Sequence, residues 1–245
     1  MRTKTMFKLL FALLAAVLVT ACDSDSSPPP TTPPPPPPPP QASFEISVSN
    51  LTNAQPISPI AVIAHRAGYA AFSIGIAASA GLEELAEGGD NSALLAEAGA
   101  DAAVITGTSG GGPIGPAGNE TLTINLANAD RPGLLISVAG MLVNTNDGFT
   151  ALNGLPVETM AVGDKVSVNA VAYDAGTEAD TEAAGSIPGP AAGGEGFNPA
   201  RDDDADRVAM HAGVISVDDG RTGSGLTEQH RFDNPVARIT IERTQ

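Results

Sequence analysis

One cysteine, no tryptophan and only 12 basic residues are the scarcest components of this 245-residue chain. A single thiol, Cys22, excludes an intramolecular disulfide, so packing or bound ions must hold the fold. Aromatics make up 4% of the sequence, which leaves the core to Ala, Val, Ile and Leu. Flat aromatic platforms for sugars are correspondingly few, limited to Tyr69, Tyr173 and the phenylalanines. The 12 Lys and Arg stand against 28 Asp and Glu. Such a balance excludes nucleic acid as a partner, repels anionic lipid headgroups and attracts cations, while also serving solubility. No apolar run reaches the roughly 20 residues that a membrane-spanning helix needs.

What is present begins with an export signal. Arg2, Lys4 and Lys8 precede an uncharged stretch over residues 9–19, and Leu18-Val19-Thr20-Ala21-Cys22 resembles a lipobox, small residues before a cysteine. Cleavage before Cys22 and lipidation of its thiol are expected, making residues 1–21 a lipoprotein signal peptide. The membrane is then a partner through the lipid anchor, and stable anchoring takes more than one acyl chain. Removal of the signal leaves nine basic residues against 28 acidic ones. Residues 22–41 form the lipidated cysteine and a stalk, with eight consecutive prolines from Pro33 to Pro40. Such a run adopts polyproline II at about 3.1 Å per residue and acts as a semi-rigid spacer. The expected location is the cell envelope, on its periplasmic or surface face.

Residues 42–245 remain for one globular domain. Phe44, Ile46 and Val48 alternate with Glu45, Ser47 and Ser49, the period of a half-buried strand. Leu122, Ile124 and Leu126 follow the same pattern, as do Val166 and Val168, and residues 60–65, 134–143 and 236–241 read as further strands. One helical excursion is predicted, over Gly81 to Glu87, broken at Gly88-Gly89 and resumed from Asn91 to Ala98. Many short strands with one helical interruption predict an all-β, antiparallel sandwich. Residues 107–119 and 185–207 are expected to be long loops.

Catalytic motifs are weak. Gly107-Thr108-Ser109-Gly110-Gly111 has the letters of a nucleophile elbow, but Gly112-Pro113-Ile114-Gly115-Pro116 cannot continue the helix that elbow requires. His65, His211 and His230 lie far apart in sequence, in no zinc-binding spacing. Asp202, Asp204 and Asp206 have the one-three-five spacing that opens a calcium loop, yet Arg207 and Gly213 stand where its glycine and closing glutamate belong. A distributed cluster is stronger: residues 144–149 and residues 173–182 both follow predicted strands and both carry carboxylates. Loops at one end of a sandwich can bring such groups onto one calcium ion.

The runs Asn144-Thr145-Asn146-Asp147-Gly148-Phe149 and Asp174-Ala175-Gly176-Thr177-Glu178 are joined by Pro188-Gly189-Pro190, Met210-His211-Ala212-Gly213 and the ending Asn234-Pro235-Val236-Ala237-Arg238-Ile239-Thr240-Ile241. Together with Asn50-Leu51-Thr52-Asn53-Ala54-Gln55-Pro56-Ile57-Ser58-Pro59 and residues 81–90, they resemble the spondin N-terminal domain in its bacterial form. The resemblance covers nearly all of the region beyond the stalk. It implies an eight-stranded, C2-like antiparallel β-sandwich with calcium held by Asp147, Asp174 and Glu178. Animal members carry Asp where Glu178 stands, so the closing oxygen is displaced by a methylene here. They also carry cysteines and neighbouring adhesion repeats that this chain lacks, and their matrix and heparin roles are not carried over. The resemblance implies a calcium-binding recognition or adhesion module rather than an enzyme, held on the envelope and facing an extracellular or envelope ligand. The alternative is a structural envelope lipoprotein with no ion requirement.

Overall fold

In the computed structural model, which describes residues 40–201 and 204–245, the period-two segments become antiparallel strands. The expected signal peptide, Cys22 and nearly all of the expected stalk lie outside the described residues. One layer is made by β1 (Gln41–Asn50), β4 (Asn119–Ala127), β9 (Ala237–Arg243) and the first part of β7 (Lys165–Asp174). The other layer holds β2 (Ala61–His65), β3 (Val104–Ser109), β5 (Leu135–Met141) and β6 (Gly148–Pro156). Strand β7 belongs to both: residues 165–170 pair with β9 and residues 171–174 pair with β6. The path β3-β2-β5-β6-β7-β9-β1-β4 therefore contains eight strands, and the two-residue β8 (Ala209–Met210) adds a ninth beside the end of β7.

Alternation explains what each face buries. Phe44, Ile46 and Val48 of β1, Ile239 and Ile241 of β9, and Ile124 of β4 point inward against Val62 of β2 and Ile136 and Val138 of β5. Each such side chain contributes about 1.5–3 kcal/mol when fully buried. The other face of the β2 layer is covered as well. Helix α1 (Ala80–Gly88) and helix α2 (Ser92–Ala100) place Leu82, Leu85, Leu94 and Ala98 against Ala61, Ile63, Ala139 and Phe149. β2 is thus buried on both faces, and its sequence is apolar up to His65 rather than alternating. His65 is accommodated there by a 2.8 Å hydrogen bond between its Nε2 and the Ser137 hydroxyl.

The helix boundaries follow local chemistry. Ser79 Oγ accepts from the Leu82 N–H at 3.2 Å, and Gly89, at φ 73°, ends α1 by donating to the Leu85 carbonyl. The helices cross closely, since a Cβ on Gly81 would lie 2.6 Å from the Leu94 nitrogen. Of the two expected loops, the first begins later than predicted. Residues 107–109 belong to β3, and Gly107 pairs with Ile63. A side chain at Gly107 would strike Leu95 at 2.9 Å, so this glycine lets α2 lie against the strand. No helix among the described residues is long and apolar enough to cross a membrane.

The strand directions set the polarity of the domain. Asn50 and Ala170 both align with Ala237, whereas Glu45 and Lys165 align with Glu242. Asp174 therefore lies beyond the Asn50 end of the sandwich, and Asn50 is itself about 30 Å along β1 from Gln41, where the chain enters.

Candidate metal centre

Beyond that end, the turn from β5 into β6 buries polar residues. Thr145 Oγ1 donates to the Leu142 carbonyl at 2.6 Å and accepts from the Gly148 N–H at 2.9 Å. This closes the turn and fixes Asp147, which is completely buried. Position 148 has room only for glycine, because a Cβ there would lie 2.6 Å from Thr145 Oγ1 and 2.8 Å from His211 Cδ2. The neighbouring amides tie in the surrounding loops. Asn146 Oδ1 accepts from the Glu182 N–H at 3.0 Å, and Asn144 Oδ1 accepts from the Ala191 N–H at 3.0 Å.

The segment after β7 supplies the facing side. Asp174 Oδ1 accepts from the Gly176 N–H at 2.7 Å, a side-chain turn that reverses the backbone. Gly176 sits at φ 73°, and a Cβ there would run into the Arg207 carbonyl at 2.3 Å. Past it, the N–H groups of Thr177 and Glu178 donate to Asp147 Oδ2 at 2.8 and 3.1 Å. Asp147 Oδ2 is thus well supplied with donors, whereas Oδ1 is buried with no hydrogen-bond partner.

Asp147, Asp174 and Asp180 each present an oxygen within 4.8 Å of the others. Burial pushes all three carboxyls up, and their mutual repulsion adds to it for Asp174 and Asp180. Asp174 is raised to about 6 and Asp180 to about 7. In Asp147 the donated N–H groups work against burial, the larger effect. His211 packs beside them, 3.8 Å from Asp180 Oδ1 through Nε2. Burial lowers its pKa to about 4. Its Nδ1 accepts from the Gly213 N–H at 2.9 Å, so the neutral ring carries its proton on Nε2. That nitrogen is protonated, makes no hydrogen bond and is not a metal ligand.

The donor set consists of carboxylate oxygens, which suits a hard divalent cation rather than zinc or copper. Two oxygens 2.3–2.6 Å from a shared calcium ion can be up to about 5 Å apart. The unpartnered Asp147 Oδ1 has the character of a ligand atom, since a buried carboxylate oxygen lacking any donor costs free energy unless a cation meets it. These residues fit such an ion.

Of the residues expected to ligate, Asp147 and Asp174 are brought together, but the Glu178 carboxylate is not part of the group. It is nearly completely buried, ion-paired with Arg201 and contacted at 3.3 Å by Asn146 Nδ2. Glu178 serves the site through its main-chain N–H instead. The structure brings in Asp180, which sequence reasoning missed even though it lies in the carboxylate-rich segment 173–182. The reversal at Gly176 returns the chain so that Asp180 faces Asp174. Asp204, from the one-three-five run, lies close enough for its negative charge to raise all three carboxyls. Asp206 holds that loop by donating its N–H to the Gly176 carbonyl at 2.9 Å, and Asp202 lies outside the described residues. Asp204 thus lies beside the Asp147 group.

Ser109, at the end of β3, accepts from Asn91 Nδ2 at 2.9 Å and donates to the Gly110 carbonyl at 3.2 Å. His65 is hydrogen-bonded to Ser137 and His230 to Thr227, so neither of these histidines is engaged with Ser109. No family model matches the chain, and no curated protein matches it.

Proposed function

We propose that this chain is a lipoprotein of the cell envelope, anchored through Cys22, whose sandwich binds calcium at Asp147, Asp174 and Asp180 and presents that end as a recognition or adhesion surface. The observation that carries the reading is the fully buried Asp147, with one oxygen saturated by main-chain donors and the other unpartnered beside two more carboxylates. The likeness of residues 144–149 and 174–178 to the spondin N-terminal domain supports calcium as the ion. Calcium also tolerates the irregular loop geometry better than magnesium, which demands a near-ideal octahedron. The position of the site supports recognition, because it lies at the end of the sandwich opposite the residue where the stalk joins.

Thermal unfolding of the exported chain, unlipidated through Cys22→Ser, tests the ion. Calcium at 100 times its dissociation constant adds about 2.7 kcal/mol to stability, a rise in Tm of several degrees over chelator. Asp147→Asn abolishes that rise. An identical Tm in calcium and in chelator defeats the reading.

A second reading is a structural envelope lipoprotein with no ion requirement. It is favoured by the Arg201–Glu178 and Arg221–Glu182 pairs, which already neutralise two buried carboxylates in the same loops.

A further inference from the structure

Next to the cation site, but separate from it, lies a cleft of about 510 Å³, within the range of ligand-binding pockets. Three prolines, Pro56, Pro116 and Pro190, give it aliphatic walls, and Asn53, Gln229 and His230 give it hydrogen-bonding groups. In a chain this acidic, no Asp, Glu, Lys or Arg among the described residues lines it.

The cleft is held open by buried amides that the strands themselves do not use. Gln55, with no exposed surface, donates from Nε2 to the His230 carbonyl at 2.8 Å and to the Asn144 carbonyl at 3.1 Å, while its Oε1 accepts from the Asn144 N–H at 3.1 Å. Asn50 Nδ2 donates to the Gln55 carbonyl at 2.7 Å and to the Ile114 carbonyl at 3.0 Å. Asn144 Nδ2 donates to the Ala54 carbonyl at 2.8 Å while its Oδ1 holds the Ala191 N–H. Five chain segments, at residues 50–55, 114, 144, 191 and 230, are thereby locked together through side-chain amides, at the desolvation cost that burying them carries. Such a network fixes the walls before any ligand arrives. His230 Nδ1 accepts from the Thr227 N–H at 3.0 Å, which leaves Nε2 as a donor; the Gln229 Nε2 that faces it at 3.5 Å is a donor too, so both are left for an acceptor.

We infer that this cleft is a binding site for an uncharged, extended peptide segment, gripped by the amide of Gln229 and the imidazole of His230 between walls of proline. Side-chain amides pair with both the N–H and the C=O of a main chain, and aliphatic walls accept small apolar side chains. A sugar would find no Phe, Tyr or Trp ring on which to stack, and a charged ligand would find no counter-ion. The site takes its rigidity from hydrogen bonds that involve no cation, so it stands apart from the proposed calcium centre.

The test is a nuclear magnetic resonance titration of the exported chain carrying Cys22→Ser with the capped peptide acetyl-Ala-Pro-Ala-Pro-Ala-amide, run both in calcium and in chelator. Saturable shifts in the main-chain signals of residues 53–56 and 227–230, in either condition, are expected. Gln229→Ala, an exposed position outside the buried network, weakens binding about fivefold, the loss of one hydrogen bond. Absence of shifts in both conditions at millimolar peptide overturns the proposal. So does maltotriose moving these signals where the peptide does not, or undiminished peptide affinity in Gln229→Ala.

Discussion

Between the two layers, Phe44, Ile46, Ile136, Ile239 and Ile241 are buried against one another, whereas around the β5–β6 turn the buried side chains are Asn144, Asp147, Glu178, Glu182 and His211. Both regions are closely packed, and they differ in what packing achieves. Aliphatic burial between the strands stabilises directly. Burial of carboxylates and an imidazole costs free energy unless each is paired, and at Asp147 Oδ1 and His211 Nε2 the pairing within the chain is incomplete. One end of the sandwich is thus built from groups whose burial costs free energy, whereas the space between the layers is filled by groups whose burial gains it.

The largest effect that sharpens this contrast is at Phe44. Phe44→Ala costs about 3–5 kcal/mol in denaturant unfolding and does so equally in calcium and in chelator, because no ligand touches the inter-layer core. Arg201→Ala comes next. It leaves the buried Glu178 without its cation and costs about 3 kcal/mol, measured the same way. A loss well below 1 kcal/mol would mean that the loop end is solvated rather than packed. Gly148→Ala drives a Cβ into Thr145 and His211 and costs about 2 kcal/mol of overpacking, with a calcium-dependent part that Phe44→Ala lacks.

A smaller effect is written in pH. Burial lifts the Glu87 carboxyl to about 7, so the folded state holds a proton that the unfolded state releases near its ordinary value of 4.5. The stabilisation this gives is complete below about 4.5 and lost as pH rises through about 7. Glu87→Gln removes that dependence, and the ratio of the variant's stability to the parent's should climb between pH 5 and pH 8. A parallel pH profile in the two proteins would contradict it. Smallest of all is Lys165→Ala. Its pair with Glu242 lies on the exposed side of the strands, where solvent screens it, so losing it leaves the denaturant midpoint essentially unchanged.

The same contrast governs what could be read in the sequence. β1, β4, β7 and β9 alternate in sequence because one face of each looks into the core and the other outward, and they were legible for that reason. β6 was not, because residues 148–151 are buried on both faces and the register with β5 shifts between Ile136 and Val138. The end of β3 was taken for loop because Gly107 reads as a turn residue when its role is to admit Leu95. At the site, Asp147 and Asp174 were recognisable from their motifs. Asp180 depends on the backbone reversal at Gly176 and a positive φ at Glu182, neither of which spacing reveals, and Glu178 is drawn away by an arginine 23 residues later.

Calcium titration by calorimetry, comparing the parent with Asp147→Asn, Asp174→Asn, Asp180→Asn and Glu178→Gln, tests the central claim most directly. One site is predicted in the parent, weakened at least about tenfold by each aspartate substitution, about 1.4 kcal/mol or more apiece, and changed far less by Glu178→Gln. Binding that survives Asp147→Asn and Asp180→Asn, or that is lost only in Glu178→Gln, would contradict the account.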